Sequence, residues 1–250
     1  MDLLESLLQH RSIRKFTNQE VSQDQLDLIL QSAIRASTTG NMQVYSIIVT
    51  QDEDRKKALH PIHFGQNMIL EAPLLLTFNA DFNRFNHWCE NRNAEPSYDN
   101  FLSFFTAAID ALLAAQNATI AAEAQGLGVC YLGTTTYQAQ KLIEFFSLPQ
   151  GVVPITTLVI GYAAEMPPLV DRLPVSAVVH YEEYQEFNPD QIDELYAEKE
   201  SLPDTLKLIE VNQLANLAQI FTQKRYPKAM NVDFSRKFLE VIAAQGFMNQ

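Results

Sequence analysis

Apolar positions along the chain keep two rhythms. Leu3, Leu4, Leu7 and Leu8 form a short helical stripe within residues 1–9. Asp24–Ala36 repeats it, with Leu26, Ile29, Leu30 and Ala33 on one helical face, and the polar turn Ser37-Thr38-Thr39-Gly40-Asn41 ends it. Val44–Thr50 is rich in β-branched residues and predicts a strand; Leu74–Asn79, after Pro73, predicts a second. Tyr98–Gln125 predicts a long helix with Phe101, Phe104, Phe105, Ala108, Ile109, Leu112 and Leu113 spread nearly all round it. A helix apolar on most faces belongs inside a large core or an oligomer interface. Gly126-Leu127-Gly128 stops it, Val129–Leu132 predicts a third strand, and Gly133 opens a Thr-rich turn. Gln138–Phe146 reads as helix and Ile155–Gly161 as a fourth strand.

Helices of such unequal length between strands do not make regular βαβ units, and nothing repeats. The pattern predicts an α+β fold, one sheet covered by helices. It is read as one domain over residues 1–250, with a C-terminal helical excursion or arm from about residue 181 to 250. Tyr181–Glu210 holds ten Asp or Glu against two Lys and reads as a solvated helical excursion; Phe234–Ala244 is a last helix.

Charge narrows the function classes. The net charge of −12 over 250 residues argues against broad contact with nucleic acid or anionic lipid. Residues 101–128 carry Ser103, Thr106, Asp110, Asn117 and Glu123, too polar a set for a lipid-facing span. Cys89 and Cys130 show neither metal spacing nor a disulfide framework, and the N-terminus shows no secretory leader, so a reduced, cytoplasmic protein is the default expectation.

Against this acidic background His10-Arg11-Ser12-Ile13-Arg14-Lys15-Phe16 stands out. Three of the 18 Lys and Arg residues fall within five positions, beside a hydroxyl and an imidazole. Arginine forks suit phosphate oxygens, so the cluster suggests a small, tightly held anion. The local alternative is a set of cations favouring a helix C-terminus. His60 and His63 are spaced like weak metal ligands but read better as an ordinary polar helix end, and no metal site is assigned. His87-Trp88-Cys89 reads as a packing and surface segment. No nucleophile–base pair, P-loop or dinucleotide fingerprint is present, so an enzyme here would rely on a cofactor for its chemistry.

Taken together and in order, several segments resemble the nitroreductase family, the FMN-dependent NAD(P)H oxidoreductases, and most of all its flavin reductase and oxygen-insensitive nitroreductase branch. They are the His10–Phe16 opening, Ser37-Thr38-Thr39…Gln43 before a strand, Gly65-Gln66, Asn79–Arg84, Gly126–Gly133, Leu148-Pro149, and Gly161-Tyr162…Pro167…Arg172-Leu173-Pro174. The resemblance runs in register over about residues 1–180. It implies a mostly antiparallel central sheet flanked by helices, a long central dimer helix, and a homodimer with an FMN at each of two interface sites.

The resemblance also implies roles. Arg11 and Ser12 would hold the FMN phosphate and ribityl chain, with His10 at the pocket edge and Arg172 approaching the phosphate from far along the sequence. Arg14 would face the flavin N1/O2 edge. Gln66 would bond the pyrimidine edge, and Tyr131, Leu132 and Gly133 would line the N5/O4 side through backbone N–H groups. Ser37, Thr38, Thr39 and Gln43 would come from the partner subunit. Locally, Tyr131-Leu132 has a second reading as core strand, Ser37–Thr39 as a helix-end cap and Gln66 as a polar helix residue. The implied reaction is ping-pong: hydride passes from NADH or NADPH through the flavin to a nitroaromatic, a quinone or free flavin. The alternatives are a different ring-substrate reaction on the same fold, or a non-catalytic flavin-binding or interaction module.

Two departures from the family pattern shape expectation. A family lysine two residues before the arginine of Arg172-Leu173-Pro174 is here Val170, followed by Asp171, which predicts weaker FMN retention. The C-terminal excursion offers only Lys224, Arg225 and Lys228 to a nucleotide 2′-phosphate, which predicts no strong preference for NADPH over NADH.

Overall fold

The computed structural model describes residues 3–250. Its contacts divide the chain into two compact units, residues 3–169 with 235–250, and residues 170–234.

The first unit is built on a four-stranded sheet. The strands are β1 (Tyr45–Thr50), β2 (Leu74–Asp81), β3 (Gly128–Leu132) and β4 (Val152–Gly161), in the order β1-β2-β4-β3 with every pair antiparallel. The central strands β2 and β4 are buried along their whole length, as expected of near-continuous apolar runs covered on both faces. β4 begins three residues before its predicted start and takes in Pro154. The strand tolerates this proline because the β2 register shifts between Phe78 and Asn79: Phe78 faces Thr156, Asn79 faces Pro154, and Ile155 has no opposite number. A bulge is where a residue lacking an N–H can sit inside a sheet.

Helices cover both faces. On one face lie α2 (Gln23–Ala33) and α6 (Phe101–Ala124). A capping box fixes the start of α2: the Ser22 hydroxyl accepts from the Gln25 backbone N–H, and the Gln25 amide answers to Ser22. The inner face of α6 is a run of alanines (Ala107, Ala111, Ala114, Ala115, Ala118, Ala122), all fully buried. Small side chains bring the helix axis close to the sheet. By length and composition α6 would suffice to cross a membrane, but half of its most apolar stretch is buried in protein. Its outer face differs: Phe101, Leu102, Phe105, Ile109, Leu112 and Leu113 are each 40–72% exposed. The opposite face of the sheet packs on α3 (Glu53–Ile62), α4 (Met68–Glu71) and α8 (Ala139–Phe146) through Leu59, Ile69 and Leu142, and α5 (Asn83–Glu90) follows β2. The predicted Gln138–Phe146 helix is thus preceded by a separate turn of helix, α7 (Thr134–Tyr137). The stripe of α1 (Leu3–Leu8) faces outward; only Ser6 of that helix is buried.

The second unit is helical: α9 (Pro189–Ser201), α10 (Pro203–Asn212), then Leu217–Gln219 running into a π-helical turn, Ile220–Arg225. Only Leu217 and Ile220 are buried there. The last helix, Lys228–Ala244, starts six residues before its predicted start.

Candidate functional site

The basic segment is pinned to the outer edge of β3. Ser12 bridges Val129 in parallel fashion, and Ile13 N–H donates to the Val129 carbonyl at 2.8 Å. Ile13 is buried and presses on Gly128, where a Cβ would stand 2.5 Å from it; only glycine lets this segment approach the strand. Phe16 bridges Ala163, and Thr17 N–H donates to the Tyr162 carbonyl at 2.9 Å. Both ends of the segment are therefore held by the sheet. The cations lie past the end of α1, whose last turn holds no basic residue, on a segment paired to the β3 edge.

Alternation along the strand then sorts the side chains. His10 leaves the edge to meet Glu123 of α6, Nδ1 to Oε1 at 2.6 Å. Arg11 donates to Gln9 Oε1 at 3.3 Å and lies 3.8 Å from Met166 Sδ, while its Nε is buried without a partner beside a cavity of about 120 Å³ that Arg11, Ile13 and Gly128 help to line. Lys15 is spent on Glu165 at 2.9 Å. Arg14 is exposed, with a long 3.5 Å contact to the Ser12 carbonyl, and its charge reaches Cys130 closely enough to oppose the upward push of burial on that thiol.

Because the Val129 carbonyl points at the bound segment, the backbone groups of Tyr131, two residues on, point out from the same free edge. The Tyr131 side chain goes elsewhere. Its hydroxyl accepts from Thr119 at 3.0 Å and donates to Gln116 at 3.2 Å, both on α6, and burial raises its pKa. Of this residue only the backbone is available at the edge. Leu132 is buried among Ile13, Leu59 and Leu142, so the core-strand reading is right for its side chain.

A polar cluster closes the far end of β3. Gln66 Nε2 donates to the His63 carbonyl at 3.1 Å and to Thr134 Oγ1 at 3.3 Å. His63 Nδ1 lies 2.8 Å from the same Oγ1. The pair does stand at a helix end, His60 in the last turn of α3 and His63 as its C-cap, but His63 is fully buried, and burial lowers its pKa from 6.5 to about 4. A lone histidine carries no periodic signal, and its partner stands 71 residues away. Gly133, just before Thr134, is exposed, and a Cβ there would meet nothing within 4 Å.

Read along β3, the order is Arg11 and Ser12 at Val129, Arg14 beside Cys130, then Gly133, Thr134 and Gln66. Cys130 to Gly133 is three residues of extended chain, about 10 Å. The model of the nitroreductase family matches residues 7–162, which contain all of these groups. The chain belongs to the nitroreductase family. A Bacillus subtilis (strain 168) relative, "FMN reductase [NAD(P)H]", is 39% identical over 193 residues, 76% of this chain and 77% of that one. "Oxygen-insensitive NADPH nitroreductase" from Salmonella typhimurium is 35% identical over 73% of this chain and 74% of its own length. A solved structure from Bacteroides fragilis NCTC 9343 shares 47% identity and superposes with a TM-score of 0.96, covering 98% of this chain and 100% of that one.

The donor set of this nitroreductase-family chain fits an FMN. The buried, unpartnered Arg11 Nε and the exposed Arg14, held by its long bond to the Ser12 carbonyl, suit an anion and an electron-rich edge. The open space over Gly133, with the outward backbone of Tyr131, leaves room for a flat ring against the strand.

Other expected residues stand elsewhere. Thr39 N–H donates to Asp110 Oδ1 on α6 at 3.0 Å, the Gln43 amide donates to Asn41, and Arg84 donates to the Gln43 carbonyl. Ser37 is exposed and Thr38 half-buried on the same turn. Asp110 and Glu123, which anchors His10, lie on one helix 13 residues apart, about 20 Å at 1.5 Å per residue. One chain does not bring the two sets together. In the second unit Arg172 donates to its own neighbours, the carbonyls of Val170 (3.4 Å) and Asp171 (3.0 Å). Asp171 is paired with Lys199 at 2.6 Å, so the anion next to Val170 is neutralised within its own unit. Arg225 lies 5.3 Å over the Phe221 ring, and Lys224 sits beside it in the same π-helical turn. Lys228 opens the last helix. Among the described residues no cluster of three His, Cys, Asp or Glu could hold a metal.

Proposed function

We propose that this protein is an FMN-dependent oxidoreductase taking hydride from NADH or NADPH and delivering it to planar conjugated acceptors, nitroaromatics, quinones or free flavin, by a ping-pong cycle. The observation that carries the reading is the linear order of cations, backbone donors and polar groups along the free edge of β3. Arg11 and Ser12 hold the phosphate end. Arg14 sets a fixed positive charge against the N1/O2 side, where reduction places negative charge. Tyr131 and Gly133 offer backbone N–H groups, and Gln66 takes the pyrimidine edge. FMN supplies the redox chemistry when bound; the protein's share is position, electrostatics and exclusion of water.

A homodimer completes this reading. The exposed apolar stripe of α6 is a face that a second copy would cover, and a second copy would also bring its Ser37, Thr38, Thr39 and Gln43 to a site they do not reach in one chain. The test is direct. Purified protein reconstituted with FMN should be yellow, bleach with NAD(P)H in the absence of oxygen, and sediment as a dimer. Failure to take up FMN would sink the enzymatic reading; a flavin-loaded monomer would sink the dimer alone.

A further inference from the structure

The cluster at the far end of β3 carries more order than an FMN pocket needs, and its hydrogens can be placed one by one. Gln66 Nε2 faces a carbonyl, that of His63, at 3.1 Å, which fixes the amide: its nitrogen is inward. The second amide hydrogen goes to Thr134 Oγ1 at 3.3 Å. Both donors are then used, and Gln66 Oε1 is left as an outward acceptor.

His63 is neutral in the fold and so carries a single ring N–H. Its Nε2 is buried with no partner. A proton there would be a donor lost in the core, and orphaned buried N–H groups are the rarest of unsatisfied groups. A proton on Nδ1 instead donates to Thr134 Oγ1 at 2.8 Å. Under this assignment the threonine oxygen accepts twice, from His63 and from Gln66. Its own hydrogen must point away from both. Thr134 is half-buried and follows Gly133, where space is open.

We infer that Thr134 is a ligand-facing hydrogen-bond donor, held in that sense by His63 and Gln66, and that Gln66 Oε1 and the Thr134 hydroxyl together form an acceptor–donor pair that reads a cyclic imide edge. In the flavin site proposed above, on which this inference rests, that edge is N3–H with C4=O of the isoalloxazine. His63 is a positioning residue: it touches no ligand and acts through the threonine oxygen.

Two measurements on the full-length protein test it. In the flavin-free form, ¹⁵N-edited NMR of the imidazoles should show His63 protonated on Nδ1; an Nε2–H tautomer overturns the assignment. FMN affinity, read by quenching of flavin fluorescence, should fall about tenfold in Thr134→Val and stay within about twofold in Thr134→Ser. His63→Phe should lose as much as Thr134→Val, while His63→Asn, whose amide can still donate, should recover part of the loss. An N3-methylated FMN should bind the wild type more weakly than FMN does. Unchanged affinity in a folded Thr134→Val overturns this inference and leaves the functional reading intact. Wild-type protein that binds no FMN at all overturns both. Should Thr134→Val fail to fold, the tautomer and the methylated flavin still decide.

Discussion

Residues 11–17 and residues 170–234 both carry cations suited to a phosphate-bearing ligand, and they hold them by different means. In the first, backbone pairing with Val129 and Tyr162 and the buried Ile13 and Phe16 fix the chain, so Arg14 projects from a rigid support with one long 3.5 Å bond to the Ser12 carbonyl and no carboxylate partner among the described residues. In the second, two residues are buried, Arg172 folds onto its own carbonyls, Asp171 takes Lys199, and Arg225 rests on Phe221. The lesson is that a cation's usefulness to catalysis depends on what fixes its backbone and what already occupies its donors, not on its presence in the sequence. Substitutions should therefore bite hard in the first region and lightly in the second.

The largest effect is expected from Arg14→Ala. Removing a preorganised charge aimed at developing negative charge typically costs a hundredfold or more in rate, about 3 kcal/mol. Anaerobic stopped-flow bleaching by NAD(P)H should slow by that factor while thermal stability holds; an unchanged rate removes Arg14 from the chemistry.

Next comes the buried imidazole behind the site. Burial alone lowers the His63 pKa from 6.5 to about 4. Between those values the unfolded chain binds a proton that the native state does not, so stability is complete above about pH 6.5 and is lost as pH falls toward 4. The loss across the window reaches about 3 kcal/mol. Urea midpoints at pH 7 and pH 4.5 should show it, and His63→Asn should flatten the difference; an equal slope in the variant assigns the pH dependence to other groups.

The two glycines bounding β3 sharpen the comparison within the first region. Gly128→Ala drives a methyl into Ile13 and should cost about 1–3 kcal/mol. Gly133→Ala meets open space and should cost no more than about 0.5 kcal/mol while weakening FMN binding by crowding the ring. Equal melting temperatures for the two variants would mean that the basic segment is not locked onto the strand. Smallest of all should be any nucleotide preference arising from the second region: kcat/KM for NADPH over NADH is expected to stay below about tenfold, because Lys224, Arg225 and Lys228 are the cations it offers in residues 224–228. A ratio of a hundred would show that this region is better ordered for phosphate than the contacts of Arg225 imply.

Much of the fold can be read from the chain because its rhythms are strong. The β-branched runs and the alanine-rich helix fall where the pattern puts them, within a few residues. The start of β4 is missed because Pro154 reads as a strand breaker, and only the opposing bulge, a property of two strands together, makes room for it. The excursion reads as helical from its charge, but the break at Leu202-Pro203 into two helices depends on a single proline. Arg11, Ser12, Arg14 and Gln66 of the proposed site are nominated by an ordered set of motifs. His63 and Thr134 are not, since their meaning lies in a contact across 71 residues. For Tyr131 the expectation concerns backbone N–H groups, and strand alternation agrees with it by sending the ring to α6 and leaving the backbone at the edge.

That edge has a consequence for handling the protein. Beyond Val129, the outward N–H and C=O groups of β3 are a short template on which another copy's strand can pair, and unpaired strand edges are sticky. In the proposed site a flat ring lying along it would act as a plug. Flavin-stripped preparations should clump on standing, and a modest excess of flavin in the storage buffer should keep them clear.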